Sequence, residues 1–240
     1  MADTPTPPTP PEPPAESTPT RNEIDKQILA DIKLGEDVLE TATSDPGHTG
    51  ALNAEELDAD AIPHLTAYTT DARALAARVV PAKNICKAAT VAEKVAWSRI
   101  MACLRDIQKR AKRKHARDKA QQATYLIGKK NFGANRSILE EDAETILTEA
   151  EAGGLPGFTP AKLTAGRMAL TQWKQADAAQ VTAAESQGKL LAELAAKVAQ
   201  LNEARREIQR TADLAWPHTD PANAPIRRSF KLPPNKPFGV

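Results

Sequence analysis

After the pair Thr159-Pro160 the chain runs 56 residues to Trp216 with no proline and two glycines, Gly166 and Gly188. Thr as cap and Pro at the first helical position are a start signal, and Pro217 is a stop. A continuous helix over this stretch would be about 85 Å long. Within it Leu191, Leu194, Val198, Leu201 and Ile208 recur at spacings of three and four, the helix period, while Arg205 interrupts the stripe. Asp177 and Gln180 spoil its upstream extension, which favours packing inside one fold over a regular two-stranded coiled coil. Aromatic residues are 4 % of the chain, and no run of β-branched or aromatic residues alternates with polar ones for the length of a strand. The expected class is all-α.

The chain also echoes itself. Arg105-Asp106-Ile107-Gln108-Lys109-Arg110-Ala111 returns as Arg206-Glu207-Ile208-Gln209-Arg210-Thr211-Ala212, 101 positions later, and Leu65-Thr66-Ala67 returns as Leu163-Thr164-Ala165, 98 positions later. A near-constant period is what an internal duplication leaves behind. Two similar helical hairpins, 21–136 and 137–217, would pack as an antiparallel four-helix bundle, compact or elongated.

Residues 1–20 contain eight prolines and no large apolar side chain after Met1, so this tail is expected to be disordered or polyproline-like. Ile24, Ile28, Leu29, Ile32, Leu34, Val38 and Leu39 predict a helix from Asn22 to about Thr41, stopped by Asp45-Pro46-Gly47-His48. Asn53-Ala54-Glu55-Glu56 reads as the cap of a short helix leading to Pro63, and a long segment to about Ile127 follows, kinked or broken at Pro81. Gly128 to Asn135 is a loop, Asn135 or Ser137 caps a third helix to Ala152, and Gly153-Gly154-Leu155-Pro156-Gly157 ends it. From Pro217 on, the last 24 residues hold six prolines and are expected to be extended, so 218–240 form an arm.

No local pattern points to catalysis or to a cofactor. His48, His64, His115 and His218 are scattered, with no Glu-x-x-His or His-x-x-x-His pair to place ligands on one helix face. Phosphate-loop and nucleophile-elbow signatures are missing, and Gly153 to Gly157 is a helix stop. Cys86 and Cys103 would sit roughly 25 Å apart on one helix, too far to bridge. Reduced thiols, a start at Met1-Ala2-Asp3-Thr4 without export features, and no apolar run of spanning length read as a cytoplasmic protein. Trp97, Trp173 and Trp216 are expected to anchor cores.

Two surfaces remain as candidates. Lys109, Arg110, Lys112, Arg113, Lys114 and Arg117 form a basic run that could bind nucleic-acid phosphates. The net charge of +1 argues for internal neutralisation instead, by an acidic third helix holding Glu140, Glu141, Asp142, Glu144, Glu149 and Glu151. The arm carries Ile226, Arg227, Arg228, Phe230, Leu232 and Phe238, and free tails rarely expose so many large apolar side chains. It is expected to dock, on its own bundle or, as the preferred outcome, exchanged onto a second subunit of a homo-oligomer. The resulting expectation is a non-enzymatic helical scaffold or self-assembly protein whose partner is itself or another protein, with nucleic-acid association as the alternative. No membrane is implied.

Overall fold

The computed structural model describes residues 21–239, with side chains from Lys26 onward; the Pro-rich segment 1–20 lies outside the described residues. The elements are α1 (Arg21–Ser44), α2 (Pro46–Ala54), α3 (Ala61–Lys114), α4 (Lys119–Thr124), α5 (Arg136–Gly153), α6 (Pro160–Ala215), a 3-10 turn (Pro221–Asn223) and α7 (Ala224–Ser229). The described residues are helical with no strand, so the class is all-α.

Most boundaries follow from short-range chemistry. Asp45 ends α1 and caps α2, its carboxylate accepting from the Gly47 N–H with Pro46 in the first turn. Asn135 accepts from the Ile138 N–H to start α5, and Gly154, left-handed at φ 51°, closes it. α6 opens at Pro160 and runs unbroken through Gly188.

Four expectations are corrected. Pro81 lies inside α3 without ending it. The ring forfeits one bond, leaving the Ala77 carbonyl without its intrahelical donor at a cost of about 3 kcal/mol, and the intact turns on either side keep the register. α3 stops at Lys114, not near Ile127, because Asp118 recaptures the chain by accepting from the Gln121 N–H and opening α4. Lys112, Arg113 and Lys114 occupy the last turn of α3, where positive charge suits the carbonyl end of the helix. Asn53 to Glu56 ends α2 instead of opening a helix. The arm is not extended throughout: Asp220 accepts from the Ala222 N–H to begin the 3-10 turn, and Pro225 fits the first turn of α7.

The chain divides into two compact units, and the division does not follow the expected hairpins 21–136 and 137–217. Among the described residues the first unit is 21–73 with 195–239; the second is 74–194. The first takes α1, α2, the start of α3, the end of α6 and the arm around Ile32, Val38, Leu52, Leu65, Leu201, Ile208 and Phe230, all fully buried. The second takes the rest of α3, then α4, α5 and the beginning of α6, around Ile100, Leu104, Ile107, Tyr125, Leu139, Ile146 and Trp173.

In the second unit α3 and α6 run antiparallel. Trp97 meets Trp173 edge-on at 5.8 Å, Arg110 reaches the Pro156 carbonyl ahead of α6, and a Cβ added at Gly166 would lie 2.8 Å from Leu147 and 2.9 Å from Cys103. Glycine at 166 is therefore what lets α3, α5 and α6 close together there.

Candidate interaction surfaces

The arm docks on its own chain, in the first unit, and Arg227 is its anchor. This guanidinium is fully buried, pairs with Asp213 at 2.6 Å and donates to the carbonyls of Trp216 (2.6 Å), Pro233 (2.9 Å) and Lys236 (2.9 Å). A buried charge is tolerated when it is paired and hydrogen-bonded, and four acceptors meet that condition. Phe230 is fully buried, stacked on Trp216 at 5.1 Å, with the His48 ring 5.5 Å from Trp216 and 5.7 Å from Phe230. Leu232 is buried and Ile226 half-buried, Arg228 is exposed, and the Phe238 N–H donates to the second Asp213 oxygen at 3.2 Å. Lys231 adds an ion pair to Asp37 on α1, and the Asp37 carboxyl is held below its ordinary value by its bonds to Lys33 and Lys231.

The residues that receive the arm were not singled out by the sequence reading, yet one lay inside the echo. Gln209 donates to the Phe230 carbonyl at 2.9 Å. Its counterpart Gln108 donates to the Tyr125 and Leu126 carbonyls at 3.1 and 3.3 Å, in the second unit. The match extends outward. His115 stacks on Tyr125 as Trp216 stacks on Phe230. α4 ends with Leu126 at φ 54° and α7 with Lys231 at φ 57°, and each end carries the paired bonds of a left-handed helix stop: Ile127 N–H to Gln122 and Leu126 N–H to Ala123 in one, Leu232 N–H to Arg227 and Lys231 N–H to Arg228 in the other.

The basic run is not neutralised by the acidic helix in the way expected. Glu140 and Glu144 pair with Lys174 of α6, Glu151 with Arg167 of α6, and the buried Asp142 takes Lys129 and the Gly133 N–H. Arg110 instead binds Asp106 and the Pro156 carbonyl, and Lys114 binds backbone carbonyls at the end of α5. Lys109, Lys112, Arg113 and Arg117 are exposed and hold no ion pair among the described residues. At 100° per residue Arg105, Lys109, Lys112 and Arg113 lie on the side of α3 away from the buried stripe Ile100, Leu104, Ile107 and Ala111.

A third surface was not read from sequence. On α3 in the second unit, Pro81, Asn84, Ala88, Val91, Val95, Ser98 and Ala102 follow one another at alternating steps of three and four, and every one is exposed. Ile85 is 63 % exposed, Val91 62 % and Val95 46 %. Val91 lies nine residues, half a turn in phase, from buried Ile100, so this stripe faces away from α5. Beside it a groove of about 730 Å³ runs between α3 and α6, lined by Ala77, Pro81 and Ile85 on one side and Thr182, Ala183 and Ser186 on the other. Such spacing is the signature of a seam that another helix covers, and its only visible trace in the sequence is weak because the residues are small.

Chemistry at isolated side chains is muted. Burial pushes the Cys103 thiol up, with Asp106 adding to the effect, which disfavours a thiolate there; both cysteines are free. Among the described residues no group of three or more His, Cys, Asp or Glu is placed to hold a metal ion, and no helix is long and apolar enough to cross a membrane. Comparison with protein-family models, with curated proteins and with solved structures returns no match, so the geometry above carries the functional argument alone.

Proposed function

We propose that this chain is a non-enzymatic helical scaffold that assembles with other polypeptides through the open face of α3 and α6, its C-terminal arm serving as an internal latch. The observation that carries the reading is the exposed stripe itself. Val91 and Val95 are apolar, one turn apart and uncovered, Ile85 is exposed beside the neighbouring groove, and exposed apolar surface on a folded domain marks an interaction site. The arm contributes indirectly: with Arg227, Phe230 and Leu232 spent on its own first unit, it is not free for exchange between subunits. The paired clasps after α3 and α6 support a further element of the reading, that the two long helices with their exits descend from one duplicated unit.

Light scattering and binding of an environment-sensitive apolar dye, on the full chain and on Val91→Asp/Val95→Asp, test this. A wild type that gains mass with concentration or lights up the dye, with loss of either signal in the variant at unchanged helicity, is expected. A monomer whose dye signal ignores both aspartates removes the scaffold reading.

One observation favours a second reading. With Glu140, Asp142, Glu144 and Glu151 of α5 committed to α6 and Lys129, the stripe Lys109, Lys112 and Arg113 is left as unpaired charge, suited to phosphates. Duplex binding that weakens with salt and is lost in Lys112→Glu/Arg113→Glu would establish it.

A further inference from the structure

The open face has a charge as well as a shape, and that narrows what covers it. Arg78 lines the groove and Lys87, Lys94 and Arg99 flank the stripe Ala88, Val91, Val95 and Ala102, and all four cations are exposed without an ion pair among the described residues. No carboxylate answers them on α3: between Ala74 and Ile100 the single acid is Glu93, which is 8 % exposed and turned inward to the Trp173 ring nitrogen at 3.5 Å. Across the groove α6 presents Thr182, Ala183 and Ser186, which bring no charge.

The stripe is also built for close approach. Ala88 on one side and Ser98 with Ala102 on the other bracket Val91 and Val95 at the three-and-four spacing, so an incoming helix can sink its larger side chains around the two valines and over the Ala88 and Ala102 methyls. A second copy of the same face would bring four cations against four, and like charges across an apolar seam select against that pairing.

Resting on the scaffold reading, we infer that the open face of α3 and α6 is a docking groove for an amphipathic helix of a partner protein, one whose apolar stripe is bordered by Asp or Glu. The apolar seam supplies the contact, and Arg78, Lys87, Lys94 and Arg99 supply the choice of partner and its orientation.

The probes are two synthetic amphipathic peptides of about three heptads with the same apolar stripe, one bordered by Glu and one by Lys, titrated into the full chain by fluorescence anisotropy. The Glu peptide is expected to bind at least about tenfold more tightly than the Lys peptide. Lys87→Glu/Lys94→Glu/Arg99→Glu should reverse that order, and Val91→Asp/Val95→Asp should abolish binding of both. All these positions are exposed, so circular dichroism should report an unchanged fold, and Arg99→Glu alone serves as the milder check. Equal binding of the two peptides overturns the acidic-partner inference and leaves the scaffold standing. Binding of neither peptide, with a dimer that Val91→Asp dissolves, overturns it in favour of a second copy and again leaves the scaffold standing. A chain that binds neither peptide and does not self-associate takes down both.

Discussion

The exits of the two long helices perform the same task with different chemistry. After α3, Gln108, His115, Gln122 and Tyr125 hold a short helix against the second unit; after α6, Gln209, Trp216, Arg227 and Phe230 hold another against the first. Gln122 satisfies the His115 and Ala116 carbonyls with a neutral amide, at 2.7 and 3.3 Å. Arg227 satisfies Trp216 and two carbonyls farther along the arm, and brings in Asp213 as counter-ion. The cores behind them diverge likewise. Leu104 is fully buried in the second unit, whereas 101 positions on Arg205 is 9 % exposed, bonded to Asn202 and Gln209, with burial pulling its charged form down in favourability. Asn202 continues to Asp31 on α1, so a polar chain joins α1, α6 and the arm. The clasp geometry thus tolerates either an apolar or an ionic interior, and the ionic one ties in more chain.

That contrast predicts unequal sensitivity. The largest effect should come from Arg227→Ala, which takes the counter-ion from the half-buried Asp213 carboxylate and the donor from three carbonyls, and should cost about 3–5 kcal/mol in denaturant unfolding. Gln122→Ala, at the matching place, removes a neutral donor and should cost about 1–3 kcal/mol. Equal losses would break the comparison.

Phe230→Ala comes next, at about 3–5 kcal/mol for a stacked core ring, while Tyr125→Phe keeps the ring and loses only the hydroxyl bond to the Glu149 carbonyl, about 1 kcal/mol. Gln108→Ala and Gln209→Ala should then cost alike, roughly 1–3 kcal/mol each, since each leaves buried carbonyl oxygen without its donor. A clear inequality between the two glutamines would show that only one clasp carries weight in its unit.

The smallest effect is one of pH and separates the units by sign. Asp37 is held low by Lys33 and Lys231, so its contribution is present above the ordinary carboxylate value and is lost as pH falls through the depressed one, below about pH 4. Lys129 is raised by its bond to Asp142, so its contribution is present below the ordinary lysine value and is lost as pH rises past about 10.4. Melting of Asp37→Asn should therefore lose part of the acid-limb dependence and leave the alkaline limb as it was.

Both ends of helix α6 were legible, because Thr159-Pro160 and Pro217 are local signals that need no tertiary partner, whereas its continuity through Gly188 was not. The end of α3 was not: Lys114 to Lys119 contains no glycine or proline, and the break depends on the Asp118 cap and on Gln122 reaching back to the His115 carbonyl. Docking of Phe230 and Leu232 could be anticipated from their hydrophobicity, whereas their receptor could not, since Asp37, Thr41, His48 and Gln209 are brought together from distant stretches.

By itself the sequence determined the helical class, through a period of three to four and a scarcity of strand formers, and it determined the recurrence of Ile-Gln before each exit. Only the tertiary structure decided which carboxylates meet which cations, for α5 pairs Glu140, Glu144 and Glu151 with α6 and Asp142 with Lys129, and leaves the basic stripe of α3 without an ion pair. It also decided which apolar face stays open. Helical periodicity says that residues share a side; which side the neighbouring helices take is a tertiary matter, and among the described residues no helix covers Val91 and Val95.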